Sequence, residues 1–167
     1  YLLIGVVAGI VVGFVIALIR HALDTRIHTA DDVTSRFREP LLTVLPRSGA
    51  IAAGQVDSTD DPHAAEAIRR LRTNLRYTAP DHPPKVILVT SPRNGDGKSV
   101  VAADLARVMA AAGQKVVLVD ADLRHPSVMD TFGVEGAVGL PEVLAGTGPL
   151  DDALQPTAVT GLSALPS

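Results

Sequence analysis

Hydrophobic positions along this chain fall into three kinds of run. The first, Tyr1 to Ile19, contains no charged side chain. As a helix at about 1.5 Å per residue it spans roughly 28 Å, close to a hydrocarbon thickness of about 30 Å, which predicts a transmembrane helix over 1–19. No basic region precedes it and no small-residue cleavage site follows, which argues against a signal peptide. The second kind has helical spacing. Ile68, Leu71 and Leu75 lie three and four apart, after Asp61-Pro62 and before Pro80. An acidic cap followed by proline in the first turn predicts a helix from 62 onward. The third kind is short and continuous: Val86 to Thr90, Lys115 to Val119 and Leu162 to Leu165. Such runs suit strands in the interior of a parallel sheet. Between the first two, Lys98 to Ala112 predicts a helix closed by Gly113. Shorter helical pieces are expected around Ser127–Phe132 and Pro141–Ala145. This alternation predicts an α/β fold with a doubly wound parallel sheet, present in part, and ligand at the carboxyl ends of the strands.

Polar segments divide the chain further. Arg20, His21 and Arg26 follow the apolar run, so the positive-inside rule places the C-terminal side in the cytoplasm. Gly5, Gly9 and Gly13 share one helix face, where small residues permit close helix–helix approach. Residues 20–46 read as a juxtamembrane segment, polar and partly helical over Leu23 to Arg38, then interrupted at Pro40 and Pro46. Residues 47–61, rich in Gly, Ala, Ser, Thr and Asp, read as a flexible linker. Residues 62–167 form the remaining domain. There is no cysteine, which excludes disulfides and thiolate chemistry. A net charge of −3 with few aromatic residues gives no reason to expect nucleic-acid binding.

The candidate chemistry lies where the apolar run at Val86 ends. Residues 91–99 read S-P-R-N-G-D-G-K-S. A strand, a Gly-rich turn, Lys-Ser and a helix form the context of a phosphate-binding loop, in which backbone N–H groups and the helix N-terminus surround phosphate oxygens. Arg93, Asn94, Gly95, Asp96, Gly97, Lys98, Ser99 and Val100 are the expected nucleotide-binding residues. Lys98 supplies charge near the β- and γ-phosphates, and Ser99 a hydroxyl for Mg²⁺. The strict pattern departs at its first position, where Pro92 replaces glycine.

A second constellation follows one helix later. V-V-L-V-D-A-D-L-R at 116–124 ends a strand in two carboxylates one residue apart. Alternation along an extended chain points Asp120 and Asp122 the same way, toward the carboxyl edge of the sheet beside the phosphate loop. Carboxylates there hold Mg²⁺ or orient an attacking hydroxyl. A strand-end turn with a helix cap would use aspartate equally well.

With these motifs the chain resembles the bacterial tyrosine kinases (BY-kinases) fused to a polysaccharide chain-length determinant. The resemblance covers essentially the whole sequence: A-L-D-T-R-I-H-T-A-D-D-V in the juxtamembrane part, the two motifs above, and G-L-P-E-V-L-A-G at 139–146. It implies a membrane-anchored, ATP- and Mg²⁺-dependent tyrosine autokinase that regulates capsular or exopolysaccharide polymerisation and export. Lys98, Asp120 and Asp122 would be catalytic, and Ser99 and Asp120 would serve the metal. It also implies the bacterial inner membrane with the kinase domain cytoplasmic, and as partners the polymerase and export machinery and a cognate tyrosine phosphatase. Glu66-x-x-Arg69-x-x-Arg72 matches a motif linked in that family to ring-like homo-oligomers. The three residues share one helix face, and Arg–Glu pairs across subunits or within the helix both fit that arrangement.

There are departures from the family pattern. Asn94 stands where proline is usual. The family's later strand ending in aspartate, the Walker B motif, does not follow Leu165, and the tyrosines are Tyr1 and Tyr77 in place of a C-terminal cluster. The sequence therefore reads as the N-terminal part of a kinase domain, inactive by itself. Two other functions remain open on the residues alone. One is a ParA/MinD-like membrane-tethered ATPase, although the signature lysine of that group is replaced by Arg93. The other is a non-catalytic nucleotide-binding chain-length regulator.

Overall fold

The computed structural model describes residues 2–23, 40–47 and 61–167. The chain divides into two compact units, Tyr1–Leu41 and Leu42–Ser167.

In the first unit, helix α1 spans Leu2–Leu23, four residues past the expected end at Ile19. Among the described residues no helix is long and apolar enough to cross a membrane. The sequence of α1 itself carries no charge from Leu2 to Ile19, before Arg20. Of Ile4, Ala8, His21 and Ala22 only the backbone is described. Large apolar side chains, among them Leu3, Ile10, Phe14 and Ile19, are exposed along α1. The expected partial helix over 23–38 and the linker over 47–61 lie almost wholly outside the described residues.

The second unit begins earlier than the expected boundary at 62. Leu45 packs against Ala65, Ile68 and Val108, and Asn74 Nδ2 donates to the Leu42 carbonyl. Part of the juxtamembrane stretch therefore belongs to the folded unit. Helix α2 spans Pro62–Thr78 with Asp61 as its cap, Oδ1 accepting from Ala64 N at 3.0 Å. Its alanines and Ile68 are buried against helix α3, Lys98–Ala111. Strand β1, Val116–Val119, pairs in parallel with β3, Leu162–Leu165, in the register Val116↔Leu162 to Val119↔Leu165. Three short helices lie between them: α4 at Val128–Phe132, α5 at Leu140–Ala145 and α6 at Leu150–Ala153. Strand β2, Gln155–Pro156, joins β3 antiparallel, giving the order β1-β3-β2. The sheet is thus mixed, not wholly parallel as expected.

The expected strand Val86 to Thr90 is a correction. Among the described residues the segment has no ladder partner, and Val86 and Leu88 are 89% and 83% exposed. Ile87 and Val89 instead line one side of a cavity of about 920 Å³ whose other side includes Val116, Val117 and Leu118. An apolar run becomes a strand only when a neighbour satisfies its N–H and C=O groups, and here the neighbouring position is open.

Two contacts fix the elements that carry the site. Arg107 pairs with the fully buried Asp104 at 3.0 Å, and its guanidinium lies 4.4 Å above the Phe132 ring, tying α3 to α4. At Gly139 a Cβ would stand 2.6 Å from the Pro166 carbonyl oxygen. That close approach lets Leu140 N donate to the same oxygen at 2.7 Å and seats the start of α5 beside the end of β3.

Candidate functional site

The phosphate loop runs from Ser91 to the first turn of α3. Gly95 and Gly97 adopt φ of +85° and +91°, a left-handed backbone that glycine alone enters without strain. The loop is closed by its own polar groups. Ser91 Oγ donates to the Arg93 carbonyl at 2.8 Å, and Arg93 N donates to Asp96 Oδ2 at 3.0 Å. Arg93, Asn94, Gly95 and Asp96 are exposed, while Lys98, Ser99 and Val100 are half-buried in the opening turn of α3.

The acidic loop leaves β1 at Val119. Asp122 turns toward the phosphate loop, placing Oδ2 2.6 Å from Lys98 Nζ. Its Oδ1 accepts from His125 N at 3.1 Å, closing the 122–125 turn. The Lys98 ammonium, with the His125 N–H behind it, holds the Asp122 carboxyl below the usual carboxylate range.

Asp120 behaves differently. It is buried, and its Oδ1 accepts from Asp122 N while its Oδ2 accepts from Ser127 N at 2.8 Å and Val128 N at 3.0 Å. It holds the whole 121–128 loop and supplies acceptors at the start of α4. The two carboxylates therefore do not share one direction. Strand geometry ends at Val119, and the turn rotates them apart. The N–H partners of Asp120 and Asp122, at Ser127, Val128 and His125, were not singled out in the sequence. The signal available there is the Asp-x-x-His spacing of an Asx-type turn.

The structure thus brings Lys98 and Asp122 into contact and seats Asp120 one turn behind them. It does not gather Glu66, Arg69 and Arg72 into one cluster. Glu66 pairs with Arg70 at 3.0 Å along α2, Arg72 Nη1 donates to the Val108 carbonyl at 3.3 Å, and Arg69 is exposed.

The comparisons with known proteins agree on the kind of site. A ParA family model, described as an NUBPL iron-transfer P-loop NTPase, matches residues 83–165. The chain is 32% identical over 170 residues to a putative tyrosine-protein kinase EpsB of Ralstonia solanacearum, covering 93% of this chain and 22% of that protein. It is 41% identical over 103 residues to the tyrosine-protein kinase YwqD of Bacillus subtilis, covering 62% of this chain and 44% of that one. The chain therefore spans less than half the length of either relative. Among solved structures, the chimerical protein CapA2B2 superposes with a TM-score of 0.74 at 31% identity, over 83% of this chain and 60% of that one. The kinase domain of the Escherichia coli tyrosine kinase ETK gives 0.73 at 27% identity, over 82% and 58%. On sequence and fold together, the chain belongs to the bacterial tyrosine-protein kinase family, built on a P-loop NTPase fold.

Proposed function

We propose that the whole protein is an ATP-dependent tyrosine autokinase of an exopolysaccharide or capsule system, anchored by α1 in the inner membrane with its kinase domain in the cytoplasm. The observation that carries this reading is the 2.6 Å contact between Lys98 and Asp122. It unites a phosphate-binding cation and a carboxylate at the mouth of a glycine loop. The anchoring rests on the 22-residue length of α1 and its lack of charge before Arg20. At about 1.5 Å per residue, α1 matches the hydrocarbon core.

The residues present fit a divalent cation of the Mg²⁺ type. Ser99, Asp120 and Asp122 offer oxygen donors alone, which such a hard ion prefers. Among the described residues no three His, Cys, Asp or Glu side chains form a cage of their own, so an ion here would share its shell with phosphate oxygens. Ser99 and Asp122 are placed to hold it directly. Asp120, already accepting three N–H groups, would reach it through water. When bound, the ion neutralises charge on the transferring phosphoryl group.

The chain's own groups supply the rest. Loop amides over 93–100 and Lys98 bind and orient the β- and γ-phosphates of ATP. Asp120 keeps the 121–128 loop in place so that Asp122 faces the same space. A tyrosine hydroxyl, with a pKa near 10, needs a base or a cation nearby at neutral pH. Its oxygen bonds to the γ-phosphorus, the bond to the β–γ bridging oxygen breaks, ADP leaves, and the phenolic proton passes to Asp122, the carboxylate that faces this space. Glu66, Arg69 and Arg72 form the homo-oligomer face in this reading, with the polymerase and export machinery and a tyrosine phosphatase as further partners.

The ParA match favours a second reading, in which the same loop hydrolyses ATP and drives assembly without modifying tyrosine. One experiment separates the two. The full-length protein and its Lys98→Met variant are incubated with Mg-ATP, and phosphotyrosine and released phosphate are both measured. Phosphotyrosine that disappears in the variant supports the kinase, and phosphate release without phosphotyrosine supports the ATPase.

A further inference from the structure

Tyr77 lies in the last turn of α2 and is 70% exposed. Among the described residues its hydroxyl makes no hydrogen bond. The residue borders a cavity of about 420 Å³ between the end of α2, the segment that includes Pro83, Pro84 and Ile87, and the end of α3. Arg72 and Arg76 line the same cavity, four residues apart on one helix face, and no carboxylate among the described residues lines it. Arg72 uses only Nη1, toward the Val108 carbonyl. Arg76 has no hydrogen bond or ion pair among the described residues. A cavity that offers guanidinium donors and no carboxylate is a place for an anion.

We infer that Tyr77 is a phosphate acceptor for the kinase site of a neighbouring copy of this chain, and that Arg72 and Arg76 receive the phosphate once it is attached. This rests on the tyrosine-kinase reading above. Helix α3 sets the geometry. Lys98 opens it, and Met109, which borders the Tyr77 cavity, lies roughly 16 Å further along at about 1.5 Å per residue. No residue of 91–100 or 120–128 lines that cavity. The phenol therefore does not reach the phosphate loop of its own chain, and transfer is between copies. Tyr1, the other tyrosine of the sequence, opens the apolar run and lies across the membrane in the anchored reading. In the step, the Tyr77 oxygen bonds to the γ-phosphorus and the bond from that phosphorus to the β–γ bridging oxygen breaks. ADP leaves, and the phenolic proton passes to the neighbouring copy's Asp122. The product carries a charge of about −1.5 to −2 at pH 7, and its acceptor oxygens match the guanidinium fork.

The test is a mixing experiment on the full-length protein in detergent. Lys98→Met, isotopically labelled so that its peptides differ in mass, is incubated with Mg-ATP alone or together with unlabelled Tyr77→Phe, and phosphotyrosine is mapped by mass spectrometry. Tyr77 of the labelled copy is expected to gain phosphate only when Tyr77→Phe is present. Phosphotyrosine elsewhere in the labelled copy, with Tyr77 unmodified, overturns the acceptor role. Phosphate on Tyr77 in the wild type but never in the labelled copy overturns transfer between copies. No phosphotyrosine in any sample, the wild type included, defeats the kinase reading instead, so the two failures are distinct. Should Lys98→Met not fold, mapping of the wild type alone still decides, because unmodified Tyr77 beside phosphotyrosine elsewhere overturns the proposal. The arginines have their own readout. A general tyrosine phosphatase should clear Tyr77 roughly threefold to tenfold faster in Arg76→Ala than in the wild type. Equal rates remove Arg76 from the proposal.

Discussion

The two loops that meet at Lys98 are supported in opposite ways. The acidic loop leaves β1, which is paired along its whole length with β3, and is then held by three N–H groups on one buried carboxylate. The phosphate loop leaves a segment, Val86 to Thr90, with two exposed apolar side chains and, among the described residues, no ladder partner. Both segments are equally apolar in sequence. One is a strand and the other is not, because β-structure is a property of pairs. The site therefore has one wall carried by a paired strand and one carried by a segment that only borders a cavity beside Ile87 and Val89. Segments with few buried contacts and unpaired backbone open at low free-energy cost.

Matched substitutions sharpen that contrast most. Leu162→Ala removes a side chain that is 2% exposed and packed with Ala106 and Ala110. It should cost about 3 kcal/mol of unfolding free energy. Leu88→Ser, at a position 83% exposed, should change stability by less than about 0.5 kcal/mol. Urea denaturation followed by circular dichroism reads both. A large loss at Leu88 would mean that this segment is buried by something that pairs with it.

Within the braced wall, Asp120→Ala should cost about 2 kcal/mol, since the N–H groups of Asp122, Ser127 and Val128 lose their acceptor. Amide hydrogen exchange should then accelerate over 121–128 and leave 86–96 unchanged. Acceleration in both loops would show that they are not independently supported.

Replacing Glu66, Arg69 and Arg72 together by alanine tests the proposed oligomer face of α2, at the cost of the Arg72 bond to the Val108 carbonyl. The exposed Glu66–Arg70 pair and the Arg72 bond each contribute about 1 kcal/mol, so the full-length assembly should shift toward monomer in analytical ultracentrifugation without loss of fold. Unchanged mass across a concentration series would return these residues to intrahelical pairing, as Glu66–Arg70 already shows.

The smallest effect is with acid. The folded pKa of Asp122 lies below its unfolded value, so its contribution to stability is present above about pH 4 and is lost as pH falls through the folded value. Lys98→Met should remove that part of the acid sensitivity. An identical acid limb in both proteins, followed by far-ultraviolet circular dichroism, would mean that the pair is not formed in solution.

Local signals were legible where they are self-contained. Asp61-Pro62 announced α2, and the runs at Lys115 and Leu162 gave β1 and β3 almost to the residue. Lys98, Asp120 and Asp122 could be named because a Gly-rich turn and a strand end bring definite chemistry with them. Three things were not legible. The failure of Val86–Thr90 to pair depends on a neighbour, which no local pattern encodes. Strand β2 is two residues long and contains Pro156, so it carries no alternation to detect. The division of labour between Asp120 and Asp122 depends on how the chain turns after Val119, where a rotation of one residue decides which carboxylate faces Lys98. Leu45 in the core and Arg72 on the Val108 carbonyl are likewise set by packing between distant segments.

The central claim is that the two loops together form a tyrosine-phosphorylating site. Its most direct measurement is phosphotyrosine mass spectrometry on the full-length protein after incubation with Mg-ATP, comparing the wild type with Asp120→Asn under conditions where both bind nucleotide. Asn removes the charge and keeps one of the two acceptor oxygens, enough for the Ser127 and Val128 N–H groups. The account predicts that nucleotide binding is retained while transfer to tyrosine falls by a factor on the order of a hundred. Full transfer by Asp120→Asn, or no phosphotyrosine from the wild type, would contradict it.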